Sequence, residues 1–179
     1  MIKITLVRHG QTEENYLGNI QGQSNEMLND TGRRQCQRLR EKIKDMEFNY
    51  CYMSPLVRCV ETAIILIGER VETIRDNRLI ERNMGELEGK PRENYDGEKY
   101  WDFDLNSSDE GVESIQSLFE RCREFLTYIM EKHEGQSILV VTHSATYRVL
   151  RHILLETKLE GSLLDTIIPN CCCEEFEVE

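Results

Sequence analysis

Two of the four histidines stand directly after apolar segments of strand character. His9 follows residues 2–7, which alternate and then run apolar. His143 follows residues 137–142, whose run Ile138, Leu139, Val140, Val141 suits a central strand covered on both faces. In an open α/β sheet, ligands bind beyond the carboxyl ends of the strands, so both imidazoles are aimed at that edge. A neutral imidazole there can serve as a nucleophile, and an imidazole of either charge as a hydrogen-bond partner.

Arginines accompany them. Arg8 ends the first apolar segment, where an unpaired guanidinium would be costly and an anion would resolve the cost. Arg58 falls in the first turn of a helix that Ser54-Pro55 should open, with Ser54 as N-cap and Pro55 as the first helical residue. The helix dipole disfavours a cation there by a few tenths to about 1 kcal/mol. A bound phosphate would reverse that sign, since helix N-termini and arginine forks both suit phosphate. Arg58 could equally pair with Glu61 or face water. Glu81, in Leu79-Ile80-Glu81-Arg82, is by itself one carboxylate among 33 acidic residues.

The elements that must position these groups alternate. After the strand at 2–7, Asn29 can cap a helix carrying Cys36, Leu39, Ile43 and Met46 on one face. Residues 48–53 read as a strand, the helix after Pro55 runs to about Gly68, and 71–74 read as a short strand. Residues 83–111 form a long excursion rich in Gly, Asn, Asp and Glu, with a small helix around Tyr100 and Trp101. Such a segment suits a lid. Tyr95, Tyr100, Trp101 and Phe103 could grip an organic group or simply pack the lid down, and its carboxylates would disfavour anionic substrates if they faced the site. A helix over 113–133 carries the stripe Ile115, Leu118, Phe119, Cys122, Phe125, Leu126, Ile129 and Met130, and Gly135 ends it. A helix follows at about 145–155, and 171–178 read as a final edge strand rich in Glu. This alternation predicts one α/β domain over 1–179, a three-layer α/β/α sandwich with a mainly parallel central sheet.

Hydrophobic residues at 39% and charged residues at 31% fit an ordinary globular chain. The net charge of −11 argues against nucleic acid or an anionic membrane as partner. It leaves room for a small anion held locally, because charges beyond about 10 Å are largely screened. The N-terminus reads as a strand, not a signal peptide, and no apolar run is long enough to span a bilayer. The seven cysteines lack zinc-finger spacing, and adjacent Cys171, Cys172 and Cys173 in a strand would alternate between faces. They read as reduced thiols of a cytoplasmic protein, mostly small buried apolar groups, with no metal and no cofactor.

Together these residues resemble the histidine phosphatase superfamily, the phosphoglycerate-mutase-like fold. The resemblance rests on Leu6-Val7-Arg8-His9-Gly10-Gln11-Thr12-Glu13-Glu14-Asn15, Gln21-Gly22, Leu28-Asn29-Asp30-Thr31-Gly32, Ser54-Pro55-Leu56-Val57-Arg58 with Glu61-Thr62-Ala63, Leu79-Ile80-Glu81-Arg82 with Gly85 and Glu88-Gly89, Glu113-Ser114 with Arg121, Val141-Thr142-His143-Ser144, and Pro169-Asn170-Cys171, in that order. It covers nearly the whole chain and is weakest over 90–111. The resemblance implies that His9 attacks phosphorus and becomes phosphorylated. It implies further that Arg8, Arg58 and His143 hold the phosphoryl oxygens and that Glu81 donates and accepts the proton. Asn15, Gln21, Gly22 and the backbone amide at Ser144 are implied to bind the substrate phosphate. Ser144-Ala145 stand where many relatives have glycine, and Asn25 and Met27 stand near positions where many have Asp and Pro, which bears on substrate preference. The implied activity is metal-independent hydrolysis of a small phosphorylated metabolite, of broad-specificity or α-ribazole-phosphate type. The alternatives are a phosphoglycerate mutase, a protein phosphatase acting on phosphohistidine or phosphotyrosine, and a catalytically silent phospho-ligand-binding scaffold.

Overall fold

The computed structural model describes residues Met1–Glu179. Its sheet holds β1 (Ile2–Arg8), β2 (Tyr50–Met53), β3 (Glu72–Arg75), β4 (Ser137–Thr142) and β5 (Cys173–Val178), in the order β3-β2-β4-β1-β5. All pairings are parallel except that of β1 with β5. The register sets the site. Arg8 lies opposite Thr142 in the β1–β4 pairing, so the next residues, His9 and His143, leave the sheet side by side.

Alternation along the strands builds two cores. Ile4, Leu6, Ile138 and Val140 face α5 (Ile115–Lys132) and α6 (Ser144–Leu154). Val7, Leu139 and Val141 face α2 (Asp30–Ile43) and α3 (Val57–Ile67). The three layers are those expected of this α/β alternation. Two short helices complete the set, α1 (Glu13–Leu17) and α4 (Gly97–Trp101), the latter inside the lid segment. No helix is long and apolar enough to cross a membrane.

Several boundaries differ from the sequence expectation, each for a local reason. The helix after Pro55 begins at Val57, and Ser54 does not cap it. The Ser54 hydroxyl is held instead by His143 Nε2 at 2.7 Å, while Asn25 Oδ1 accepts from Val57 N at 2.8 Å. The final strand starts at Cys173, because Cys171 sits in the left-handed region (φ 55°) and turns the chain. Its Sγ lies 3.5 Å from that of Cys36, and all seven cysteines are free thiols. Residues 48 and 49 lie outside β2, and Met46 lies beyond the end of α2. The short α1 was not foreseen; Thr12 and Asn15 form a capping box for it.

The loop that carries His9 off β1 is clamped by α2. Gly32, in the first turn of α2, presses its Cα against the Gln11 backbone so closely that any Cβ would collide with backbone atoms. Gly32→Ala is therefore expected to destabilise the fold by roughly 1–3 kcal/mol, read from the urea midpoint. An unchanged midpoint would mean that helix and loop can separate without cost.

Candidate active site

His9 is buried, with its Nδ1 2.6 Å from the Gly10 carbonyl. A carbonyl only accepts, so Nδ1 carries the proton, and Nε2 is left without a protein partner beside the cavity that His9 lines. The main chain around it is tied down. His9 N donates to Thr142 O at 2.9 Å, and Gly10 N donates to Thr62 Oγ1 at 3.1 Å.

Two guanidinium groups flank the imidazole. Arg58 is 1% exposed. It donates from Nε to His143 Nδ1 (3.1 Å), from Nη2 to Gly22 O (2.7 Å) and from Nη1 to Ser24 O. Glu61, which could have neutralised it, is engaged by Arg33 and by Leu28 N. Arg8 donates from Nη1 to Ile168 O, while its buried Nε has no acceptor. Both arginines thus bond only neutral groups and keep N–H donors to spare.

His143 stands next to His9, with ring centroids 5.1 Å apart, but it is fully buried and does not line the cavity. Nδ1 accepts from Arg58, so Nε2 is the donor to Ser54 Oγ. In this arrangement both ring nitrogens are taken by protein groups.

The other residues singled out in the sequence converge on the same place. Asn15, Gln21, Gly22, Glu81 and Ser144 all line the cavity. Gln21 is buried and its Nε2 has no partner. Gly22 adopts φ 50°, and its Cα packs so tightly on Glu88 that a side chain would clash. The Glu81 carboxylate sits at the N-terminus of α6, accepting from Ala145 N (3.2 and 3.3 Å), Thr146 N (3.3 Å) and Arg82 N (2.9 Å). Ser144 opens that helix.

The outer wall of the cavity, whose volume is about 520 Å³, was largely missed from sequence. It is built by Ile20, Arg82, Met84, Arg92, Tyr95 and Trp101 together with Arg148 and residues 164–168. Residues 164–168 carry no periodicity that would mark them as wall. The lid expectation is resolved in detail. Tyr95 and Trp101 line the cavity, whereas Tyr100 is buried and Phe103 packs on Phe119 (5.5 Å). No carboxylate of the lid lines the cavity. Asp109 pairs with Lys99, Glu113 at its far edge pairs with Arg121, and Glu110 accepts from Tyr100. The lid's charged contribution to the cavity is instead Arg92, which is exposed at its rim. No cluster of His, Cys, Asp or Glu side chains is arranged to hold a metal ion.

Burial first, then the charges of Arg8 and Arg58, hold the His9 imidazole well below its ordinary pKa. His143 is depressed the same way, by burial and then Arg58. Burial also draws Arg8 down to about 10, against the pull of Glu81, which leaves it charged at neutral pH. The site therefore combines a neutral, oriented imidazole with unneutralised cations, an arrangement that suits attack by His9 on a phosphorus atom.

Residues 4–179 match the sequence profile of the Histidine phosphatase superfamily (branch 1). Phosphoglycerate mutase-like protein 4 of Arabidopsis thaliana is 37% identical over 158 residues, covering 83% of this chain and 69% of that protein. Phosphoserine phosphatase 1 of Hydrogenobacter thermophilus is 30% identical over 167 residues, covering 89% of this chain and 79% of that protein. Among solved structures, Bacillus stearothermophilus YhfR superposes with a TM-score of 0.89 at 26% identity, covering 100% of this chain and 92% of that one.

Two imidazoles buried in the neutral form leave a thermodynamic trace. Their folded-state pKa values lie below the unfolded value near 6.5, so the unfolded chain binds more protons as pH falls through that value. Stability contributed by the neutral rings is present above pH ~6.5 and is lost below it. Replacing His143 by Asn should flatten the loss of unfolding free energy between about pH 6 and 5 by roughly 1 kcal/mol per pH unit. Urea titrations at both pH values check this, and parallel slopes in the two proteins would contradict it.

Proposed function

The chain belongs to the histidine phosphatase superfamily, and on that footing we propose that it hydrolyses small phosphomonoesters through a phosphohistidine on His9. The observation that carries this reading is the imidazole itself: buried, neutral, with Nδ1 locked on Gly10 O and Nε2 free at the cavity. Nε2 attacks phosphorus, and the P–O bond to the leaving alkoxide breaks. The phosphoryl oxygens are taken by Arg8 Nε, by the remaining donors of Arg58, by Gln21 Nε2 and by the open N-terminus of α6 at Ser144. Glu81, beside that helix terminus, gives the alkoxide its proton. In the second half Glu81 takes a proton from water, whose oxygen attacks phosphorus and frees His9. Positioning and charge supply most of the acceleration in such a transfer. His143 acts through Arg58, whose fork it helps hold.

The substrate class follows from the outer wall. Arg92 stands exposed at the cavity rim, and Arg82 adds a buried Nη2 without acceptor. These favour a phosphoester with a second anionic group, such as a phosphorylated amino or hydroxy acid, over an α-ribazole phosphate. The phosphoserine phosphatase among the relatives supports the same choice. The mutase-like relative keeps a second reading in view, in which the phosphoryl group returns to a phosphoglycerate.

Purified protein in EDTA should release phosphate from phosphoserine or 3-phosphoglycerate, and His9→Ala should abolish release. Isomerisation that depends on 2,3-bisphosphoglycerate, with little release of phosphate, would instead establish the mutase reading. Arg92→Ala should raise KM for the carboxylated substrate by roughly tenfold and leave p-nitrophenyl phosphate unaffected. An equal rise for both substrates would remove Arg92 from substrate selection.

A further inference from the structure

We propose that Asn170 is a positioning residue that aims the phosphate-binding donor of Gln21 through a one-way relay of side-chain amides. Asn170 follows Pro169, in the turn that leads to β5. Its Nδ2 lies 3.1 Å from His9 O and 3.1 Å from Asn15 Oδ1. It therefore touches the main chain of the nucleophile and the side chain of a cavity residue at once.

The direction of the relay is set by backbone groups, which cannot exchange donor and acceptor roles. His9 O only accepts, so the amino end of Asn170 must face it. The same amino group meets Asn15, whose facing atom must be the oxygen. Thr12 N, which only donates, meets that oxygen too (3.3 Å) and requires the same orientation. The amino end of Asn15 is thereby turned to Gln21, 3.4 Å from Oε1. The Thr12 hydroxyl accepts from Asn15 N, so its proton is free for Gln21 Oε1 at 3.2 Å. With its oxygen engaged twice, Gln21 has its amino group turned away from this network, where it is buried and without a partner.

A buried N–H without an acceptor is costly, on the order of 1–3 kcal/mol. The cost is relieved when an anion occupies the cavity, and each amide in the series polarises the next. Asn15 becomes the middle of the relay as well as a cavity residue. Without Asn170, the Asn15 oxygen keeps only the longer bond from Thr12 N and loses the shorter of its two donors, so the amide is held less firmly and Gln21 is freer to turn its own oxygen toward the phosphate.

The proposal rests on the reading of this cavity as a phosphate site, and the test separates the two. Inhibition by orthovanadate and side-chain amide NMR signals are measured for the wild type, Asn170→Ala, Asn170→Ser, Gln21→Ala and the Asn170→Ala/Gln21→Ala double variant. Each single variant is expected to weaken orthovanadate inhibition by roughly tenfold. The double variant should be no more than about twofold worse than Gln21→Ala, because both changes remove one donor. The Gln21 Nε2 signal should move with orthovanadate in the wild type and be displaced in the ligand-free Asn170 variants. Wild-type binding with full multiplication of the two effects, or an undisturbed Gln21 signal in the folded Asn170→Ser protein, would overturn the relay alone. Failure of orthovanadate to bind the wild type would overturn the relay together with the phosphate-site reading.

Discussion

The arrangement depends on two cations that no carboxylate neutralises by contact, Arg58 buried and Arg8 half-buried. Arg58 bonds two carbonyls and an imidazole, and Arg8 bonds one carbonyl and leaves Nε idle. Burying a charge without a counter-charge is among the costliest things a fold can do, and hydrogen bonds to neutral dipoles offset only part of it. The chain around the site is organised to supply those dipoles. Gly22 and Ser24 turn their carbonyls inward, at a glycine that can adopt φ 50°, and Ile168 offers its carbonyl to Arg8. What remains uncompensated is positive charge, which a phosphate dianion would satisfy.

The same constraint explains the state of His9. An imidazole buried beside two cations is held well below its ordinary pKa, so it stays neutral at neutral pH. A neutral ring still has two tautomers, and the Gly10 carbonyl selects the one with a free Nε2. His143 obeys parallel logic with a different result. Arg58 and Ser54 occupy both of its nitrogens, which makes it part of the frame holding the cation.

How much of this could be read in advance depended on whether the information was local. The strands and the layering followed from short apolar runs, while the strand order did not, and the β1–β4 pairing turned two strand-end histidines into neighbours. Asn15, Gln21, Gly22, Glu81 and Ser144 were named by resemblance alone, and all of them line the cavity. The helix start at Ser54-Pro55 was misplaced because a tertiary partner, His143, claimed the serine hydroxyl. The outer wall was invisible for a similar reason. Arg92 and residues 164–168 carry no periodicity, and only the folded lid brings Arg92 to the rim of the cavity while Asp109 and Glu113 pair elsewhere. The role of Asn170 needs donors and acceptors traced across residues 9, 12, 15, 21 and 170, a connection no spacing rule contains.

The central claim is that the phosphoryl group passes through His9, and trapping the intermediate tests it most directly. The enzyme is mixed with a turning-over phosphoester, quenched in alkali within the first turnovers, and its peptides are analysed by mass. The account predicts one added phosphoryl group on the peptide containing His9, stable to alkali and lost in acid, and absent from His9→Ala. Steady turnover with no phosphorylated His9 peptide, or the modification on another residue, would contradict it.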